Sequence, residues 1–125
     1  MPELWSVHAD PEACDLAIRA PGAGRVAPDE VFVRGPVADD LRRAIRKVDP
    51  AAVIRQADDG WAEATVSRDT FSRLSALEPP PSPAYLQGEV ARVPARVFVE
   101  DGILTVFVPA SFEAHLRRRL EEESG

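Results

Sequence analysis

The most regular hydrophobic pattern in the chain runs through residues 90–99. Ala91, Val93, Ala95, Val97 and Val99 share one parity, and Val90, Arg92, Pro94, Arg96 and Phe98 share the other. That is the period of two expected of a strand in a one-sided sheet. Pro94 has no N–H to give a ladder, so the strand is expected at an edge or with a bulge at that point. Asp101-Gly102 follows, and residues 103–108 read as the returning strand of a hairpin, because Asp-Gly suits the positive φ values of a two-residue turn. A second Asp-Gly pair, Asp59-Gly60, lies between segments 52–56 and 61–66, which both read as strands, and predicts a second hairpin of the same kind. Val31-Phe32-Val33, closed by Gly35-Pro36, predicts an earlier strand.

Three segments carry helical spacing instead. Val37, Leu41, Ala44, Ile45 and Val48 form one stripe, with acidic residues at its start and basic ones at its end, which complements the macrodipole. Asp49-Pro50 ends it, because a proline disfavours helical geometry in the residue before it. Ser67 is placed to cap a short helix whose stripe is Phe71, Leu74 and Leu77. Ser111 is placed to cap a last helix with the seam Phe112, Leu116 and Leu120, and its glutamates 121–123 sit at the unfavourable end of the dipole.

From residue 30 the order is strand, helix, strand, strand, helix, then a long hairpin and a closing helix. The expected fold is therefore α+β: a ferredoxin-like (split βαβ) antiparallel sheet with a C-terminal ββα extension. Residues 1–125 are expected to form a single domain. It would comprise a βαββα unit at 29–78, a Pro-rich connector at 79–87, and the hairpin with its closing helix at 88–123. Residues 1–28 are read only coarsely, with Leu4-Trp5-Ser6-Val7 and Leu16-Ala17-Ile18-Arg19 as plausible strands and 21–24 as a loop.

Composition narrows the function. At 125 residues with 45% hydrophobic and 29% charged positions, the chain can bury a real core without staples. A net charge of −6 argues against nucleic acid, whose phosphates demand a basic surface. Arg117-Arg118-Arg119 accordingly reads as a solvated helical face. Fourteen of the fifteen basic residues are Arg, a bias of the kind a GC-rich bacterial genome imposes. No apolar run reaches the roughly 18–20 residues of a membrane span, and residues 1–5 lack the character of a signal peptide, so a cytoplasmic protein is expected.

Candidate chemistry is sparse. One cysteine, Cys14, and two histidines, His8 and His115, give no metal-ligand spacing, and Cys14 reads as a small buried hydrophobe. Gly22 and Gly24 make only half of a dinucleotide fingerprint. Asp58-Asp59 is explained by turn chemistry, and His115 has no carboxylate to orient it as a base. No catalytic residue and no metal is therefore assigned. What stands out is apolar and placed near turns: Trp61, Tyr85, Leu86 and Pro94 are the candidate residues for a protein interface. Gln87, Arg92 and Arg96 are the polar groups that would contact a small ligand.

Several strings, taken in order, resemble the gamma (small) subunits of heterotetrameric sarcosine oxidase. They are Ala27-Pro28-Asp29-Glu30-Val31-Phe32-Val33, the segment 53–66 around Asp59-Gly60, Ala91 to Val99 with its internal Pro94, and the closing segment 107–116 around Ser111-Phe112. The resemblance spans residues 15 to 122 and implies the aminomethyltransferase-domain-like architecture shared with the glycine-cleavage T-protein and related folate-binding proteins. It implies a non-catalytic assembly subunit linked to amine oxidation or folate one-carbon metabolism, with flavin or folate present only through a complex. No catalytic residue of that wider group has a counterpart in this chain. The alternative is a stand-alone homodimer that binds a small molecule such as a folate or an amino acid.

Overall fold

The computed structural model describes residues 3–81 and 83–124; Met1-Pro2, Ser82 of the proline run and Gly125 lie outside them. Among the described residues the architecture is α+β, with two antiparallel four-stranded sheets and four α-helices. The chain forms two compact units, Met1–Asp58 and Asp59–Gly125.

The first unit runs β1 (Leu4–His8), α1 (Pro11–Ala17), β2 (Ala23–Ala27), β3 (Glu30–Arg34), α2 (Asp39–Val48) and β4 (Val53–Gln56). Its sheet order is β2-β3-β1-β4, all pairs antiparallel. This is the split βαβ arrangement. The expected fold is thus present, but it begins at Leu4 rather than near residue 30. The displacement has a local cause. Residues 16–19, expected as a strand, belong to the end of α1 and its C-cap, and α1 starts where Pro11 occupies the first turn. Ala13, Cys14 and Ala17 then fall on one buried face. The loop expected at 21–24 is a turn only to Gly22, after which β2 begins.

Cross-strand rows fix which residues meet the helices. Val31, Val7 and Ile54 lie opposite one another on β3, β1 and β4. They join Ala13, Cys14, Ala17, Val37 and Ile45 in one apolar cluster. Asp49 ties two ends of this unit together. It follows α2, is 9% exposed, and accepts the N–H of Asp10 at 2.8 Å and of Ala51 at 3.0 Å. The Arg25 guanidinium binds the Asp15 carboxylate and the carbonyls of Pro11 and Pro28, at 3.1 and 2.7 Å, linking β2 to α1.

The second unit runs β5 (Trp61–Val66), α3 (Arg68–Leu74), β6 (Ala84–Val90), β7 (Val93–Glu100), β8 (Ile103–Pro109) and α4 (Glu113–Ser124), with sheet order β5-β8-β7-β6. Val97, Val99, Leu104, Val106 and Val108 pack on Phe71 and Leu74 of α3 and Leu116 of α4. Ser67 caps α3 as expected, its Oγ accepting the N–H of Thr70 at 3.2 Å. Residues 110–112 form a 3₁₀ turn, so α4 starts at Glu113 and Phe112 is 41% exposed instead of lying in the helix seam. Arg117 pairs back with Glu113 at 2.9 Å, the favourable helical orientation, and Arg119 reaches Glu122 and Glu123 at 3.5 and 3.7 Å.

Three expectations change in this unit. The hairpin at Asp59-Gly60 does not form: residues 58–60 make a 3₁₀ turn, β4 pairs with β1, and β5 pairs with β8 in the other sheet. The βαββα unit expected over 29–78 is therefore not built within one sheet. Gly60 is not among the glycines with positive φ, whereas Asp101 and Gly102, at 51° and 78°, make the expected turn between β7 and β8. Secondly, the alternation across 90–99 is not one strand. It is broken by a two-residue turn at Ala91-Arg92, with φ of 54° and 66°, which closes β6 onto β7 by the pair Val90–Val93. Thirdly, β7 is an inner strand. Pro94 is tolerated because its pairing to β8 reaches only to Arg96–Phe107, so Pro94 faces only Glu89 of β6.

Candidate functional site

The register of the second sheet decides which candidate residues meet. Residues directly opposite in antiparallel strands share a face. Glu63, Phe107, Arg96 and Gln87 form one row across β5, β8, β7 and β6, and Thr65, Thr105, Phe98 and Tyr85 form the next. Trp61 and Pro109 on β5 and β8, and Pro94 and Glu89 on β7 and β6, extend the same face at one end, beyond the Glu63 row. Five of the seven candidates (Trp61, Tyr85, Gln87, Pro94 and Arg96) thus share the sheet face turned away from α3 and α4.

The contacts on that face are aromatic and cationic. The Arg96 guanidinium lies over the Trp61 ring, 4.4 Å from its centroid, spanning the intervening strand β8. An Arg over an indole is attracted by the ring quadrupole, at roughly 0.5–1 kcal/mol where solvent is near. Tyr85 packs on Phe98 with centroids 4.9 Å apart, and Phe98 meets Phe107 edge-on at 5.8 Å. These separations fall in the favoured range for aromatic pairs. The Tyr85 hydroxyl donates to Oε1 of Gln87 at 2.8 Å. Phe98 and Phe107 are buried, Trp61, Tyr85 and Arg96 are half-buried, and Gln87 is exposed.

Leu86 and Arg92 do not join them. Leu86 points to the helix side and packs on the valine cluster, because β6 already begins at Ala84 inside the segment expected as a connector. Arg92 is exposed in the β6–β7 turn. The proline run is nevertheless held: Arg68 of α3 donates to the carbonyls of Pro79 and Pro80, each at 3.0 Å. Leu77, expected within α3, lies beyond its end and covers Gly88, where an added Cβ would come within 2.9 Å of its Cδ1.

Cys14 is fully buried, and its thiol is pushed above its ordinary value of 9.0 chiefly by desolvation, with Arg25 acting in the opposite sense. Its Sγ lies 3.5 Å from the carbonyl of Ala9, to which the thiol donates. That is the environment of an inert packing residue. Among the described residues no three His, Cys, Asp or Glu side chains converge as metal ligands would, and no helix is long and apolar enough to cross a membrane. Sequence reasoning missed the large apolar side chains that are in fact exposed: Ile18, Val48 and Val53 in the first unit, Ile103 and Phe112 in the second. Each sits at an element's end or beside a turn, where periodicity is blind to orientation.

No protein-family model matches the chain, and no curated protein matches it in sequence. Among solved structures it is similar to a chain of the heterotetrameric sarcosine oxidase from Corynebacterium sp. U-96, determined in complex with pyrrole 2-carboxylate. The similarity covers 98% of this chain and 78% of that one, with a TM-score of 0.74 and 12% sequence identity. The likeness is one of fold. It includes both units, since hardly any of this chain falls outside it.

Proposed function

We propose that this chain is a non-catalytic assembly component that works by packing against a protein partner, in the manner of a gamma subunit of sarcosine oxidase. The observation that carries the reading is the similarity in fold to a chain of a heterotetrameric enzyme along 98% of the present chain. On this reading the partner is a flavin- or folate-carrying enzyme of amine oxidation or one-carbon metabolism, and any such cofactor is bound by the complex. The candidate contact residues are those at the rim of the aromatic face, Trp61, Tyr85 and Pro94.

Native mass spectrometry of the protein purified with its partners from the source organism tests this. The expected result is a stoichiometric complex with a larger, identified flavin- or folate-dependent protein. A chain recovered alone, with no such protein at stoichiometric levels, overturns it. A second reading is supported by Arg96, Gln87 and Tyr85 lying in neighbouring rows of one face, an arrangement suited to a ligand carboxylate. On that reading the chain is a homodimer whose melting temperature rises with folates or amino acids and no longer does so in Arg96→Ala.

A further inference from the structure

The β6–β7 turn is made of residues poorly suited to it. Ala91 and Arg92 both have left-handed φ, at 54° and 66°, where a two-residue turn of this kind favours Asn, Asp or Gly. A side chain in that region is strained by roughly 1–2 kcal/mol per residue. Such strain persists only where the surroundings over-determine it. Here they do so from three sides. The Ala91 N–H donates to the carbonyl of Leu74, at the end of α3, at 2.7 Å. The Ala91 carbonyl lies 2.8 Å from Nε2 of His115 on α4, which must carry the proton to donate to it. Next to the turn, the Ser75 hydroxyl donates to the carbonyl of Glu89 at 2.6 Å, and Ala91 itself is 3% exposed.

We propose that His115 is a conformational latch: through the Ala91 carbonyl it holds the β6–β7 turn in its left-handed form, so that α4 and the hairpin open as one unit and Arg92 is presented in a fixed direction at the hairpin tip. The imidazole and the α3 carbonyl grip the two polar groups of a single residue from two different helices. A merely packed histidine would have no consequence for the backbone geometry of a turn 24 positions away in sequence. The inference is independent of the proposed function, since it concerns how this unit holds its own shape. His115 is here a positioning residue.

The test is a double-mutant cycle on the full chain between His115→Phe and Arg92→Gly, read by backbone NMR shifts and amide exchange at residues 84–100. Gly fits φ of 66° without strain, so Arg92→Gly makes the turn less dependent on the latch. In the wild-type background, His115→Phe is expected to speed exchange of the Ala91 amide by about tenfold, near the upper end of what one hydrogen bond supports, and to move the turn shifts. In the Arg92→Gly background the same substitution is expected to speed it several-fold less. His115→Gln, which keeps an amide donor, is expected to recover part of the protection, and His115→Ala removes the donor in both backgrounds if His115→Phe does not fold. Equal effects of removing the donor in both backgrounds, or turn shifts that stay in place without it, would overturn the latch.

Discussion

Replacing Asp49 tests how the first unit is held at the meeting of its two helices. The residue is 9% exposed, and its two oxygens accept the N–H of Asp10, which precedes α1, and of Ala51, in the turn after α2. Hydrogen bonds to a charged acceptor contribute about 1.5–3 kcal/mol each in folded proteins. Asp10 and Ala51 are both exposed residues, so water re-solvates much of what the carboxylate releases, and the lower end of that range applies. Asp49→Ala is therefore expected to destabilise the unit by about 3 kcal/mol, and Asp49→Asn, which keeps one acceptor oxygen, by about half as much. The chain has two tryptophans, one in each unit, so urea unfolding followed by Trp5 fluorescence in a Trp61→Phe background reads the first unit separately. Arg43→Ala is the control: its pair with Asp40 is largely exposed and should change stability by no more than about 0.5 kcal/mol. A loss for Asp49→Ala no larger than the control's would refute the account of Asp49 as the tie between α1 and α2.

Gly22 and Gly35 both have positive φ, at 72° and 90°, but only at Gly22 would an added Cβ meet neighbours, 3.2 Å from the Cβ and carbonyl of Arg34. Gly35→Ala should therefore cost about 1 kcal/mol in chemical denaturation and Gly22→Ala about 2 kcal/mol or more; equal losses would mean the crowding is relieved by a small shift. Ser67→Ala removes the oxygen that caps α3 and should lower stability by about 1 kcal/mol, with Ser67→Asp retaining most of it; a neutral Ser67→Ala would show the cap to be redundant. Burial raises the Cys14 thiol above 9.0, so the native state keeps a proton that the unfolded state releases as pH rises past that value. The stability linked to this group is complete below about pH 9 and lost above it. The stability gap between wild type and Cys14→Ala should thus hold below about pH 9 and narrow as the pH rises past it; a constant gap counts against it.

Much of the first unit's chemistry was legible from the sequence, but its order was not. The strand at 31–33 and the helix over 39–48 follow from apolar spacing alone, and the helix ends where Asp49-Pro50 requires. What escaped was α1. Leu16-Ala17-Ile18 is a short apolar run that suits a strand as well as a helix, while the residues that bury the helix, Ala13, Cys14 and Ala17, are too small to register as an apolar stripe. With residues 16–19 expected as a strand and no helix expected before them, the split βαβ pattern falls further along the chain. The fold class was right for a unit that starts 26 residues earlier than expected, at Leu4 rather than residue 30.

The three tight connections show why a turn signal is decisive in one place and empty in another. Asp101-Gly102 has the residues a left-handed turn favours, and the strands on either side are neighbours in one sheet, so local chemistry and sheet pairing agree. Asp59-Gly60 has the same residues, but Ile54 before it belongs to one apolar cluster and Ala62 after it to another, and burial in two clusters outweighs the local turn preference. Ala91-Arg92 is the converse case: the local signal is absent, yet the turn forms because Leu74 and His115 hold both polar groups of Ala91. The candidate face depends on this last turn. Trp61 could be assigned to its face by alternation alone, but Tyr85, Gln87 and Arg96 are brought into register only by the closure Val90–Val93, and Leu86 is turned away by the same closure. The residues that gather the site are therefore outside the site, on α3 and α4, and no local pattern in residues 84–96 could have named them.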